Sequence, residues 1–372
     1  MRSRLSAFIA VIQSVLFLGH VIVYVTWIEL WGVPPQPWLL VLQIALVLLS
    51  ISFVTASILA FRWSNWFVRA FYGIASGWLG FLNFLACAAV LAWICYGIAW
   101  LGGWRTSGRA IVGALYGLAL LVGIYGMLNA LRVRTRRVDV NLPNLPETWR
   151  GRTAVFVSDL HLGHIRGARF CKKIVEMIAA LAPDIVFIGG DLYDGTRVDP
   201  SRVTEPWSAM SAPLGTYLIA GNHEEFAGGA SLRAAEGAGM SVLNDRKVVV
   251  EGMQIAGVDY RASASARRLE LILHGMELDR NRASVLLSHS PNRLAVAERA
   301  GISLQLSGHT HRGQLIPSRW MVERIFGKYS YGLHAFGKMM VYTSSGVGTW
   351  GPPMRVGTAS EIVLIRFDGV EG

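Results

Sequence analysis

Four apolar runs, at about 5–30, 38–61, 71–101 and 110–131, decide most of what this chain can become. A helix needs ~20 residues to cross the ~30 Å hydrocarbon core of a bilayer, and each run reaches that length. The sequence therefore predicts a four-helix transmembrane region ahead of a more polar remainder. A hydrophobic fraction of 53% with 16% charged residues is too apolar for an ordinary soluble enzyme, and the local excess accounts for it. Arg2 and Arg4 precede the first run as they would a secretory signal. That run is longer than the ~7–15 residue core of a signal peptide and has no clear small-residue cleavage site, so it is expected to be retained.

Tryptophans bracket the runs: Trp27, Trp31 and Trp38 at the first hairpin, Trp63 and Trp66 at the second, Trp100 and Trp104 at the third. Amphipathic rings there suit the headgroup level. Counting arginines in the short loops puts Arg2, Arg4, Arg62, Arg69, Arg132, Arg134, Arg136 and Arg137 on one side and only Arg105 and Arg109 on the other. The bias predicts both termini in the cytoplasm. Residues 1–140 hold ten arginines against Glu29 and Asp139, so +8 of the chain's +11 lies in or beside the spans, where it complements anionic headgroups. A nucleic-acid partner would instead need a basic stripe on the folded domain, so none is expected. Cys87 and Cys95 fall in the third run and Cys171 is alone in the remainder, so no disulfide framework is expected. The polar residues of the spans, Gln13, His20, Gln43 and Asn83, include one ionisable group; hydrogen bonding between helices explains them better than a transport path.

The composition changes near Arg137, and the sequence divides into a membrane anchor at 1–134 and a second domain at 135–372, with the proline-bearing stretch 141–146 as a short rigid connection. Strand-length apolar runs recur at 154–157, 185–188, 216–220, 247–250, 255–258, 285–287, 304–306, 339–343 and 362–367, with a helical pattern at 168–181. This alternation predicts a layered α/β domain. Charged and imidazole residues gather just beyond those strands: Ser-Asp159-Leu-His161, Gly-Gly-Asp191, Gly-Asn222-His223-Glu224, Ser-His289 and Gly-His309-Thr-His311. In α/β sheets the crevice beyond the carboxyl ends of strands is where ligands bind. Taken singly, Gly-Asp and Gly-Asn are ordinary turn chemistry. Two imidazoles at i and i+2 are less ordinary, because an apolar interior tolerates them poorly unless something binds them.

The ordered set, within SDLHLG, GGDLYDG, AGNHE, LSHSP, LSGHTHRGQ and SSGVGTWGPPMRVG, resembles the calcineurin-like metallophosphoesterase family over about residues 138–372, and in particular its small membrane-linked bacterial branch. The resemblance implies a four-layer α/β/β/α sandwich with two divalent metal ions at the strand ends. It further implies that Asp159, His161 and His311 hold one ion, that Asn222, His289 and His309 hold the other, and that Asp191 bridges them. Mixed oxygen and nitrogen donors suit manganese, iron or zinc. A metal-bridging hydroxide would then attack phosphorus, with His223 as proton donor to the leaving oxygen and Glu224 either orienting it or serving as a helix-start charge. Where related proteins often carry glycine after the His-x-His pair, this chain has Arg312, a substrate-binding guanidinium or a solvated loop cation.

The resemblance implies a metal-dependent phosphoric ester hydrolase of the bacterial inner membrane, multi-pass, with its catalytic domain in the cytoplasm. Its expected substrate is a phosphodiester or pyrophosphate, lipid-linked or close to the phospholipid bilayer. The UDP-2,3-diacylglucosamine pyrophosphatases of lipid A synthesis are similar in motif, and a transporter or sensor with an appended phosphoesterase-like domain is the reading from another class. Residues 318–338 mix Trp320, Ile325, Phe326, Tyr329, Tyr331 and Phe336 with Arg319, Arg324, Lys328 and Lys338, which fits either an interfacial element or core packing.

Overall fold

The structure, a computed structural model, describes residues 2–227 and 229–370; the side chains of Arg2 and Arg4 lie outside the described part. Two compact units are present, Met1–Leu128 with Gly351–Val356 and Asn129–Trp350 with Gly357–Gly372.

In the first unit the apolar runs form helices α1 (Arg2–Thr26), α2 (Trp38–Arg62), α3 (Trp66–Leu101) and α4 (Gly108–Ala130). Among the described residues four helices are long and apolar enough to cross a membrane, the first continuing through a π-turn to Trp31. Asn65 caps α3 by accepting from Val68 N at 2.9 Å, satisfying one of the amides left open at a helix start. The scarce polar side chains bond between helices. Gln13 Nε2 donates to Ser50 O (2.9 Å), Gln43 Nε2 to the Tyr24 hydroxyl (2.8 Å) and Trp78 Nε1 to His20 Nε2 (2.9 Å). In an apolar surround such bonds avoid leaving a donor unmet.

The second unit is built on two six-stranded sheets. The strands are β1 (Val133–Leu142), β2 (Thr153–Val157), β3 (Ile185–Ile188), β4 (Thr216–Leu218), β5 (Ser241–Val242), β6 (Arg246–Val250), β7 (Met253–Val258), β8 (Ser284–Ser288), β9 (Leu304–Ser307), β10 (Gly332–Phe336), β11 (Met339–Thr343) and β12 (Ser360–Gly369). One sheet has the order β1-β12-β2-β3-β4-β5 and the other β10-β11-β9-β8-β7-β6. Strands β2, β3 and β4 are mutually parallel, as are β7, β8 and β9, so each trio ends its carboxyl termini along one edge.

Side-chain alternation sorts these strands into layers. Ala154 and Phe156 join Ile185, Phe187, Ile255, Val285, Leu304 and Leu306 in the core between the sheets. Val155 and Val157 face the other way and meet Cys171, Ile174 and Ile178 of α5 (Ala168–Ala179), with contributions from α6 (Pro200–Thr204) and α8 (Gly229–Gly237), which follows the single-turn α7 (Glu224–Ala227). On the outer side of the second sheet, Ala256, Val258 and Leu286 pack against α9 (Tyr260–Ala264), α10 (Ala266–Gly275) and α11 (Leu294–Ala300). The result is the helix, sheet, sheet, helix layering expected. Helix α12 (Ser318–Phe326) follows β9 and its loop.

Strand β1 departs from the expectation for its segment. Arg134, Arg136 and Arg137, expected as juxtamembrane charges, lie on an edge strand that, among the described residues, pairs only with β12, in parallel register from Val133↔Ser360 to Leu142↔Gly369. Charged side chains on an edge strand discourage further pairing, while Val140 and Leu142 are buried in the inter-sheet core.

Candidate metal centre

The carboxyl ends of β2, β3, β4, β8 and β9 deliver the charged and imidazole side chains. Asp159, His161, Asp191, His309 and His311 all have positive φ, between 46° and 69°. Non-glycine residues there cost about 1–3 kcal/mol each and persist only where the surroundings fix them. Bonds between neighbouring loops do so here: Asp159 N donates to Gly190 O (3.0 Å), His161 N to Asp191 O (3.0 Å), Gly308 N to His289 O (2.8 Å) and Gly348 N to Asp159 O (2.8 Å). Gly190, at φ +91°, has no room for a side chain, because a Cβ would lie 2.7 Å from Gly221 N and 2.8 Å from His289 Nδ1. The glycine of the Gly-Asp pair is thus what lets the β3 and β4 loops close on each other.

The donors gather in overlapping groups. Ligand-capable atoms of Asp159, His161 and His311 lie within 4.8 Å of one another; so do those of Asp191, His289 and His309, and those of His161, Asp191 and His223. His161 Nε2 and His311 Nε2 are 3.0 Å apart, and His311 Nε2 is 3.4 Å from Asp159 Oδ1. In the second group His289 Nε2 is 3.2 Å from Asp191 Oδ2, and the Asn222 amide oxygen lies 3.2 Å from His289 Nε2 and 2.9 Å from His309 Nδ1. Asp191 touches both sets, its Oδ2 also standing 3.9 Å from His161 Nε2. All seven donors predicted from the sequence therefore converge.

Burial sets the proton state of these groups. It drives His161 well below the usual imidazole range, with nearby His223 acting in the same direction, and drives His309 down to about 4, with help from His289. Both rings are neutral at pH 7 and offer a lone pair. For His289, burial opposes the charge but Asp191 outweighs it and lifts the ring to about 10. Burial likewise works against the Asp191 charge, and His289 outweighs it, holding the carboxyl far below the usual range. The donor set fits divalent cations of the first transition row. Two imidazole nitrogens at 3.0 Å can share one proton at most, whereas a cation satisfies both. His289 also makes the outer bond typical of a ligating histidine, Nδ1–H to Gly189 O at 2.7 Å. His161 Nδ1 is buried without such a partner among the described residues.

His223 sits beside the donors, its ring edge-on to His161 with centroids 4.7 Å apart. Its Nδ1 lies 2.8 Å from the Asp194 carbonyl oxygen, which can only accept, so the proton is on Nδ1 and Nε2 is the nitrogen able to exchange one. Glu224 has a different task. Its carboxylate accepts from Asp191 N (2.9 Å), Gly221 N (2.7 Å) and Tyr193 N (3.0 Å), tying the β3 loop to the β4 loop. Burial and the Asp191 charge push Glu224 up to about 7, against the pull of those amides. It is a positioning group beneath the donors; among the described residues its hydrogen bonds go to backbone amides and not to His223. The Arg312 guanidinium lies at the flank, over the Tyr331 ring at 4.1 Å from the centroid.

Three features of the site carry no local sequence signal: the Asp194 carbonyl that orients His223, the Tyr331 platform under Arg312, and the exposed Trp350, whose ring stands 5.9 Å from that of His223. Trp350 is held by the Gln314 side chain, which donates to its carbonyl (3.0 Å) and accepts from its amide (2.9 Å). Gln314 directly follows the His309–Gly313 loop, so the backbone of Trp350 is fastened to that loop.

Paired sheets that converge nitrogen and carboxylate donors at their strand ends define a metal-binding α/β sandwich protein. The chain belongs to the calcineurin-like phosphoesterase family, whose profile matches residues 153–313. It is 32% identical to an uncharacterized metallophosphoesterase of Campylobacter jejuni over 66% of this chain and 67% of the relative. It is also 32% identical to a transmembrane protein with metallophosphoesterase domain from Danio rerio, over 67% of this chain but only 60% of that protein's length. The Bos taurus protein of the same description is 28% identical over 89% of this chain and 80% of its own.

Proposed function

We propose that this chain is a membrane-anchored phosphoesterase that uses two divalent cations to hydrolyse a phosphodiester or pyrophosphate on a lipid-linked or membrane-proximal substrate. The observation that carries the proposal is the position of Asp191, within 3.9 Å of His161 Nε2 in one donor group and 3.2 Å of His289 Nε2 in the other. Asp159, His161 and His311 would hold one cation, Asn222, His289 and His309 the second, and Asp191 would be shared. When bound, such a pair supplies an activated water and screens the phosphoryl charge.

The protein's own groups do the rest. His223, with Nδ1–H fixed on the Asp194 carbonyl, presents Nε2 to protonate the leaving oxygen. Arg312, braced on Tyr331, offers a planar fork to a phosphate. Four membrane-length helices support an anchoring role, and the transmembrane description of the Danio rerio and Bos taurus relatives supports it too. The arginine bias favours placing the second unit in the cytoplasm, and the likeness to the Campylobacter jejuni relative favours a bacterial inner membrane.

The test is a panel of phosphate mono- and diesters and pyrophosphates, assayed on full-length protein in detergent with Mn²⁺, Zn²⁺ or Mg²⁺, beside Asn222→Ala. Wild-type hydrolysis that Asn222→Ala abolishes is expected; equal activity of the two would sink the proposal. His223→Ala is expected to lower kcat by about 10²–10⁴ while metal content, measured by mass spectrometry, stays unchanged. Loss of metal would make His223 a ligand instead.

A further inference from the structure

Helix α12 is apolar on two opposite sides. Val322 and Phe326 are half-buried, flanked by Arg319 and Glu323, which pair at 2.7 Å. On the other side Trp320, Met321 and Ile325 are 64%, 65% and 66% exposed, with Arg324 among them. Single exposed apolar residues are ordinary, but three large ones on one side of a nine-residue helix are not. Adjoining Lys328 is exposed too, and residues 318–328 carry Arg319, Arg324 and Lys328 against Glu323 alone. Tryptophan, aliphatic side chains and basic groups on one helix face are the composition that settles at the boundary of headgroups and acyl chains.

The helix is also built onto the donor loop. Arg319 N donates to Leu315 O at 3.0 Å, and the Thr310 hydroxyl, between His309 and His311, donates to Ser330 O at 2.8 Å. Whatever α12 touches is therefore held in fixed relation to His309, His311 and Arg312.

We propose that α12 docks on an anionic phospholipid surface through Trp320, Met321 and Ile325, with Arg324 and Lys328 at headgroup level, and so presents the donor loop to phosphates at that surface. The inference rests on the membrane-anchored reading above and names the element that would make the substrate membrane-proximal. A bilayer is the occupant because a chain anchored by four spans keeps lipid within reach at high effective concentration, and the net positive charge of the segment matches anionic headgroups.

The test uses full-length protein in nanodiscs of phosphatidylcholine and phosphatidylglycerol at 3:1, in a Cys87→Ala, Cys95→Ala background. Spin labels are placed one at a time by Trp320→Cys and Ile325→Cys, with Leu271→Cys, 65% exposed on α10, as the aqueous reference. Labels at 320 and 325 should gain oxygen collisions and lose collisions with a water-soluble nickel chelate relative to 271, and the contrast should shrink in pure phosphatidylcholine. Collision profiles matching those at 271 would overturn the proposal, as would shielding from both reagents, which means protein contact. Two positions read separately guard against misfolding at either. Collision data do not depend on turnover: lipid-buried labels on a protein inactive toward every ester in the panel would sink the hydrolase reading, whereas an active enzyme with water-exposed labels would sink this inference alone.

Discussion

The two donor groups of the centre differ in what holds them together when no cation is bound. Around Asp159, the His161 and His311 nitrogens stand 3.0 Å apart with His161 kept neutral by burial, so one proton at most lies between them. Around Asp191 a proton takes the place of a cation: His289, lifted to about 10, forms a buried ion pair with the carboxylate at 3.2 Å. If both groups take cations as proposed, the second must release a proton before His289 can ligate. Two groups with similar donors would then load by different chemistry, because one shares its carboxylate with a protonated ring.

The largest effect should come from the residue that both groups share. Asp191→Asn removes the charge that faces His161 and His289 and should lower phosphoesterase activity by at least about 10³-fold. Metal analysis of the same variant should show less than full occupancy, with the loss falling on the His289 side. Activity within tenfold of wild type would mean the groups act independently and that Asp191 does not join them.

A smaller effect tests the proton itself. In chelated protein His289 titrates at about 10 when folded and near the ordinary imidazole value when unfolded. Between those values the folded state binds more protons, so stability falls as pH rises from about 6.5 towards 10. Thermal unfolding of the chelated protein should move to lower temperature over pH 6.5–9. The metal-loaded protein, in which a cation held by His289 would take the place of that proton, should show little of that slope. Parallel slopes would remove the distinction drawn between the two groups.

Legibility in the sequence followed the same division between local and distant chemistry. Asp159, Asp191, His289, His309 and His311 could be picked out because each lies one to four residues past a strand, the first four of them beside a serine or glycine. The turn toward positive φ could not be seen, because it is imposed by bonds such as His161 N to Asp191 O between loops far apart in the chain. Likewise Gln314 reaches Trp350 across 36 residues and His223 reaches Asp194 across 29, and neither pair leaves a periodic mark. For Glu224 the sequence offers either an orienting carboxylate for His223 or a helix-start charge; it does begin α7, and three backbone amides rather than His223 take up its carboxylate. Strand β1 was hidden because arginines on its open side read as a basic tail. For residues 318–338 composition left core and interface open, and accessibility separated them: Trp320 and Ile325 lie outside, Tyr331 and Phe336 half inside.

The finest comparison concerns Arg312, which follows a donor of the first group and has no counterpart in the second. Its guanidinium lies 4.1 Å from the Tyr331 centroid, and Tyr331 is itself held from behind, its hydroxyl donating to Glu361 Oε2 and accepting from Arg136, both at 2.9 Å. A cation over a partly exposed ring is worth about 0.5–1 kcal/mol, so Tyr331→Leu should lower kcat/KM about two- to fivefold, through KM. Tyr331→Phe keeps the ring face and should lie between wild type and Tyr331→Leu, since only the tether to Glu361 and Arg136 is cut. Arg312→Lys keeps the charge but loses the planar fork, and it should resemble Tyr331→Leu if the fork meets a phosphate. Metal content should be the same in all three, because none of them alters a donor. If Tyr331→Leu and Arg312→Lys both leave KM untouched, the stack only braces the loop, and the first group gains nothing from Arg312 that the second lacks.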